Sequence, residues 1–330
     1  MVLQIFNIFF MGVNKVGAHV GYVVSEDLMQ KSSGQNWEYL SQALISSNII
    51  LAVSVLVISV FLISFIPKFK VWKRFESNIK TRLSTYGDFL PWMARLSIGI
   101  ALMGAGTAGV FFSPIASAFA PIPFIEILLG FFFLTGFLLI PITIFTIVLF
   151  IVELSGDSYL IGNLDILGLL FAYLALHSER PGIDDIFNLK TLYTLRFPRH
   201  FASLFLRIGV GVAMIYLSLY EKILNPIFSD IIVREYHLQN VLNVSAPMWV
   251  LSVGMIELIV GLCLLFGFYT RLVSIIAFMI LSLSFFYFKE DVYSHVTLFG
   301  LLSMLFVLGG GMWSFDNLRK RKSVVDTILK

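Results

Sequence analysis

Apolar residues run through this chain in long blocks, not at the short periods of half-buried strands or surface helices. Residues 2–24 are apolar but broken by Asn14, Lys15 and His19. That stretch fits a span, an interfacial helix or an uncleaved signal-like segment. The segment 25–48 is polar, and 49–66 is an apolar run that ends at Pro67. Lys68, Lys70, Lys73, Arg74, Lys80 and Arg82 follow it, the signature of a cytoplasmic loop. Two groups of four apolar runs come next. The first covers 92–112, 122–139, 140–154 and 160–176; the second covers 201–220, 248–268, 272–288 and 295–312. Each is bounded by proline, glycine or charge. The pattern predicts an all-α membrane protein of two tandem four-helix transmembrane bundles preceded by an N-terminal transmembrane helix. Its divisions are 1–90 (one transmembrane helix at 49–66 and a basic cytoplasmic loop), 91–185, 196–318, and a basic cytoplasmic tail at 319–330.

Composition agrees. Of 330 residues, 58% are hydrophobic and 13% charged, with a mean hydropathy of +0.91. A soluble domain carries roughly 45–50% apolar and about 25% charged residues. The formal charge of +3 is small, and no run of like charge suggests a nucleic-acid partner. Where the basic residues lie matters more. With 49–66 ending inside, the inner segments and inner helix ends hold 18 Lys and Arg, counting Arg95 and Arg207. The outer segments hold four, Lys31, Lys222, Arg234 and Lys289, with Lys15 unassigned. This asymmetry predicts a multi-pass protein of the cell membrane with a cytoplasmic C-terminus. The cluster Arg319-Lys320-Arg321-Lys322 is then a topology anchor able to touch anionic lipid.

The single cysteine, Cys263, excludes an intramolecular disulfide, a CxxC dithiol and a four-cysteine iron–sulfur cluster. The five histidines, His19, His177, His200, His237 and His295, form no HxxxH or HExxH pair, and no metal site is expected. There is no GxGxxG strand–helix unit and no P-loop. If electrons move here, the chain alone does not display their carrier.

The two groups read as copies of one unit. Arg95, Gly99, Ala101, Pro114 and Ile115 recur 112 positions later as Arg207, Gly211, Ala213, Pro226 and Ile227. Glu126, Gly130, Leu134, Gly136 and Phe137 recur 131 positions later as Glu257, Gly261, Leu265, Gly267 and Phe268, an E-x3-G-x3-L-x-G-F pattern. A longer loop, about 227–247, separates these blocks in the second copy. Gly168 falls opposite Gly300.

At these repeats, and at the closing Gly310-Gly311-Met312-Trp313-Ser314-Phe315-Asp316, the chain resembles the DoxX/DoxD-like family of four-helix membrane modules. Residues 199–318 carry its pattern: Arg207 opens the first helix and Lys222 stands near its end. Glu257 and the glycines follow. The first copy diverges, with no lysine opposite Lys222, a closing element reduced to Arg180-Pro181-Gly182-Ile183-Asp184, and Asn163 where the second copy has His295. The resemblance implies a membrane subunit of a quinone-linked oxidoreductase of the thiosulfate:quinone type. It would work with a peripheral or extracytoplasmic redox partner, bind quinone without a covalent link, and be able to self-associate. A non-enzymatic scaffold or assembly factor and a small-solute carrier remain the alternatives. The two copies share one orientation, which makes inverted-repeat carriers a poor comparison and leaves parallel-repeat carriers open.

Candidate residues follow from position. Glu257 lies near mid-bilayer, where an ionised carboxylate is expensive. It reads either as a proton acceptor or as one half of a structural ion pair with Arg207, mirrored by Arg95 with Glu126. Lys222 and Glu221 end one span, His295, Tyr293 and Asp291 begin another, and Trp249 opens a third. Together Glu257, Lys222 and His295 are the expected catalytic groups, with Arg207, Tyr293 and Trp249 around a quinone headgroup. Lys222 and His295 are expected to face one cavity above Glu257. The alternative is an ordinary interfacial belt of aromatics and snorkelling lysine. Asp165 reads as a hydrogen-bonding group between helices, and Cys263 as a packing residue.

Overall fold

A computed structural model describes residues 39, 54, 57, 58, 60, 61, 65–117, 121–176, 182–187, 197–242 and 244–318. The segment 2–24, most of the run 49–66, Arg180-Pro181 and the tail 319–330 lie outside the described residues.

Proline starts and glycine stops set the helix boundaries. Helix α1 is Lys70–Thr85. Helix α2, Leu90–Ala108, has Pro91 in its first turn and stops at Gly109, whose left-handed backbone (φ 72°) lets its N–H reach the carbonyls of Ala105 and Gly106. A short hairpin pairs Val110–Phe111 with Ser113–Ser117. Helix α3 is Ile122–Thr135, α4 is Leu139–Gly156, and α5 is Leu164–Leu176 after a 3-10 turn at Ser158–Asn163. Helix α6, Ala202–Leu217, continues into a wider π-helical turn, Ser218–Leu224. The long loop of the second group is itself helical, with α7 at Pro226–Glu235. Helices α8 (Ala246–Phe266), α9 (Thr270–Phe288) and α10 (Val292–Leu308) complete the chain.

Among the described residues, six helices are long and apolar enough to cross a membrane. α3 and α10 are shorter, at 14 and 17 residues. Apart from that hairpin, the described residues form a helical, multi-pass membrane architecture. Its two ends are distinct. At the Arg end, Arg271 lies 3.7 Å from Glu76 of α1, and Arg199 donates to the Gly87 carbonyl at 2.9 Å. At the Lys end, the Tyr39 hydroxyl donates to Asp230 of α7 at 2.7 Å. Tyr39 and the α6–α8 connection therefore share a side.

The four helices of each group meet along an extensive seam. α2 packs mainly on α3 of its own group and on α10 of the other; α6 packs mainly on α8 and on α5. The fourth helix of each group thus lies against the first helix of the other. Small residues make these crossings possible. A Cβ on Gly168 would sit 2.9 Å from the Phe205 carbonyl oxygen, and one on Gly209 2.8 Å from that of Leu164. The counterpart crossing sets Gly300 against Ser97, where an added Cβ would clash with the serine hydroxyl. Gly168→Leu should force α5 from α6. Its expected effect is loss of the folded, monodisperse protein in detergent, checked by size-exclusion chromatography; an unchanged profile would contradict the crossing.

Motif residues at matched offsets make comparable contacts, Leu134 for Arg95 standing where Arg207 has Leu265. Arg95 donates to the carbonyls of Phe133 (3.1 Å) and Leu134 (3.3 Å); Arg207 donates to those of Leu265 (2.9 Å) and Met312 (2.7 Å). Asp184 accepts from the N–H groups of Leu138 and Leu139, which open α4, at 2.7 and 2.9 Å. Asp316 accepts from those of Tyr269 and Thr270, which open α9, at 2.8 and 2.9 Å, and from the Thr270 hydroxyl at 2.9 Å. The blurred Asp184 element therefore makes the same backbone contacts as its sharper counterpart.

Candidate functional site at the Lys end of the bundle

The polar centre forms where α6 widens. A π-helical turn holds one more residue than an α-turn and redirects the side chains after it. The Ser218 hydroxyl donates to the Gly254 carbonyl at 2.7 Å, fixing this turn against α8. Gly254 has no side chain to obstruct the approach: a Cβ there would lie 2.9 Å from that of Lys222. Lys222 can therefore cross to α8. Its Nζ stands 2.7 Å from Glu257 Oε2 and 3.7 Å from Glu221 Oε2. The Lys222 side chain is 15% exposed, that of Glu257 23% and that of Glu221 3%. One ammonium is thus shared by two carboxylates, an excess of one negative charge when all are ionised.

Tyrosines wall the buried side. Tyr159, in the turn before α5, donates its hydroxyl to Glu221. Tyr216 and Tyr220 stack at 5.5 Å, and Tyr159 meets each edge-on at 6.1 and 5.6 Å. The Ser229 hydroxyl of α7 donates to the Glu221 carbonyl at 3.2 Å, so the loop helix covers the cluster. Outside the spans, Asp230 hydrogen-bonds Arg234 at 2.5 Å on α7, which holds the Arg234 guanidinium more firmly protonated than usual.

The six expected site residues do not converge. Lys222 and Glu257 meet as the sequence suggests. His295 does not share their cavity: among the described residues, the polar contacts of Lys222 are Glu221 and Glu257. The physical reason is the seam, which sets α10 against α2. His295 Nδ1 lies instead 3.0 Å from Glu290 and 2.7 Å from the Ser294 hydroxyl. Tyr293 packs against Gly104 of α2. Trp249 packs with Val233, Leu238, Ala246 and Val250 beneath the loop helices. Arg207 is fully buried at the opposite end of the bundle.

The expected ion pairs of Arg207 with Glu257 and of Arg95 with Glu126 are absent. Helical side chains lean toward their own N-terminus. α6 begins at the Arg end and α8 at the Lys end, so Arg207 and Glu257 lean apart. The same rule turns Lys222 back toward Glu257. In the first group Glu126, fully buried, accepts from the Phe112 N–H at 2.9 Å where Glu257 has lysine. Asp165 bonds across a helix interface as expected, its partner being Thr297. Cys263 is part of the apolar packing.

Sequence reasoning missed Tyr159, Glu290 and Thr297. Thr297 had a usable signal: it stands 132 positions after Asp165, as His295 does after Asn163.

The arrangement defines a multi-pass helical membrane protein with a lysine–carboxylate centre at one end. The DoxX family model matches residues 202–290, which run from α6 through α9 and carry that centre. This part of the chain is similar to the DoxX family. No curated protein and no solved structure matches the chain.

Proposed function

We propose that this chain is the membrane subunit of a quinone-linked oxidoreductase, with Lys222, Glu257 and Glu221 receiving the quinone headgroup. The observation that carries the reading is the Lys222 ammonium, 2.7 Å from a partly exposed Glu257 and bordered by buried aromatic rings. The residues present fit such a guest. An ammonium has three donors, and with two turned to carboxylates one remains for a carbonyl oxygen. Glu257, on an apolar helix, leaves lateral access from lipid. A quinone bound there supplies a two-electron, two-proton acceptor. Lys222 orients its carbonyl, Glu257 holds a proton at Oε2, and Glu221 with Tyr159 keeps the ammonium aimed.

Electrons come from a separate redox subunit. Basic residues argue for an extracytoplasmic Lys end and a cytoplasmic C-terminus. The matched Arg, Gly and Asp contacts favour two copies of one unit, the first having become a scaffold as its lysine was lost.

Photolabelling with an azidoquinone tests the site. Label is expected in peptides covering 216–224 and 250–260 and to fall at least tenfold in Lys222→Met. Label spread evenly over the apolar helices would refute the site. Glu257→Gln is expected to keep the label and to flatten the pH dependence of quinone turnover by the assembled complex. Failure of that variant to assemble would assign Glu257 a structural role.

A further inference from the structure

The second polar centre lies on the seam, between α2, α5 and α10, and the quinone reading does not use it. Glu290, in the α9–α10 connection, is held by the Ser284 hydroxyl at 3.1 Å and faces His295 Nδ1 at 3.0 Å. Asp165 of α5 bonds Thr297 of α10 and is near enough to His295 for their charges to interact. Asp165, His295 and Glu290 are 2%, 6% and 9% exposed. Further donors are the Ser294 and Thr297 hydroxyls and, to Asp165, the backbone N–H groups of Asp165 and Ile166. The charged residues of α2 and α6, Arg95 and Arg207, are engaged at the far end of the bundle. α9 presents Phe285 to the imidazole.

Two observations point to a guest. A small cavity is lined by Asn163, Tyr293, Ser294 and Thr297 on its polar side and by α2 on its apolar side. Asn163, 5% exposed, has its Oδ1 buried in that wall without a hydrogen-bond partner. A buried amide oxygen without a partner is costly, and a single water needs only a polar site of about 10–15 Å³ with two or more partners. Thr297 and Ser294 extend the same wall toward Asp165 and His295.

We infer that Glu290, His295 and Asp165 form a proton-exchange site on the seam, completed by water held at Asn163, through which Asp165 exchanges its proton with the Lys-end surface. The step is a transfer without net chemistry. Glu290 passes a proton to the imidazole at Nδ1, the imidazole releases one at Nε2, and the water delivers it to a carboxylate oxygen of Asp165. The return runs in reverse.

Infrared pH-difference spectra of the full chain in nanodiscs, without quinone or partner, test this. A carboxylic C=O band is expected to titrate and to vanish in Asp165→Asn. His295→Gln is expected to displace its midpoint by about one pH unit, as loss of a neighbouring charge does. Asn163→Leu is expected to slow hydrogen–deuterium exchange of that band at least tenfold while leaving the melting profile intact. If Asp165→Asn fails to fold, the other two variants carry the test. A non-titrating band, or an unchanged midpoint in His295→Gln, overturns the proposal. Either outcome leaves the Lys222–Glu257 reading untouched, because no quinone is present.

Discussion

Lys222→Met is expected to be the most damaging single substitution at the Lys end. It leaves Glu221 and Glu257 facing one another with no cation, and breaking a buried ion pair costs on the order of 3–5 kcal/mol. The partial exposure of Glu257, at 23%, sets the expectation at the lower end, about 3 kcal/mol. Reversible unfolding in mixed micelles measures it. The double variant Lys222→Met/Glu257→Gln removes the stranded charge and is expected to regain most of that stability without regaining quinone turnover. Recovery of both would make the lysine an anchor with no chemistry. Full stability of Lys222→Met alone would mean the pair is solvated, contrary to the burial of Glu221.

Asp316→Ala should be nearly as destabilising, for a reason unrelated to quinone. Asp316 satisfies the two backbone N–H groups that open α9 and the hydroxyl of the fully buried Thr270. Unsatisfied buried donors cost about 1–3 kcal/mol each, so a loss of about 3 kcal/mol is expected in the same unfolding measurement. Asp184→Ala, which strips the start of α4, is expected to behave alike. If Asp316→Ala kept full stability but lost quinone turnover, the closing motif would be chemical.

These two expectations mark what the sequence made legible. Helix positions came through to within a few residues because proline and glycine act locally: Pro91 and Gly109 delimit α2, which ends four residues before the apolar run 92–112 does. At the matched offsets, Arg95 and Arg207 each bond a leucine carbonyl, and Asp184 and Asp316 each hold the N–H groups that open the next helix. What those residues touch was not legible. Spacing along a helix gives depth but not lean, so Arg207 and Glu257 looked near enough to pair although their side chains point to opposite ends. Nor does chain order say which helix lies across a seam. His295 and Lys222 belong to one group of four helices, yet α10 rests on α2 and carries the imidazole to Asp165. Tyr159 was invisible because its partner Glu221 is 62 residues away.

On our proposal the Lys222–Glu257 pair serves a redox function. The most direct measurement is quinone turnover by the complex purified from native membranes through this chain, compared between wild type and Lys222→Met/Glu257→Gln at equal yield. A separate redox subunit is expected to co-purify, the wild-type complex to turn over a quinone analogue, and the double variant to retain the subunit but lose at least a hundredfold in turnover. Undiminished turnover in the double variant, or a stable wild-type preparation with no redox partner and no quinone turnover, would contradict the proposal.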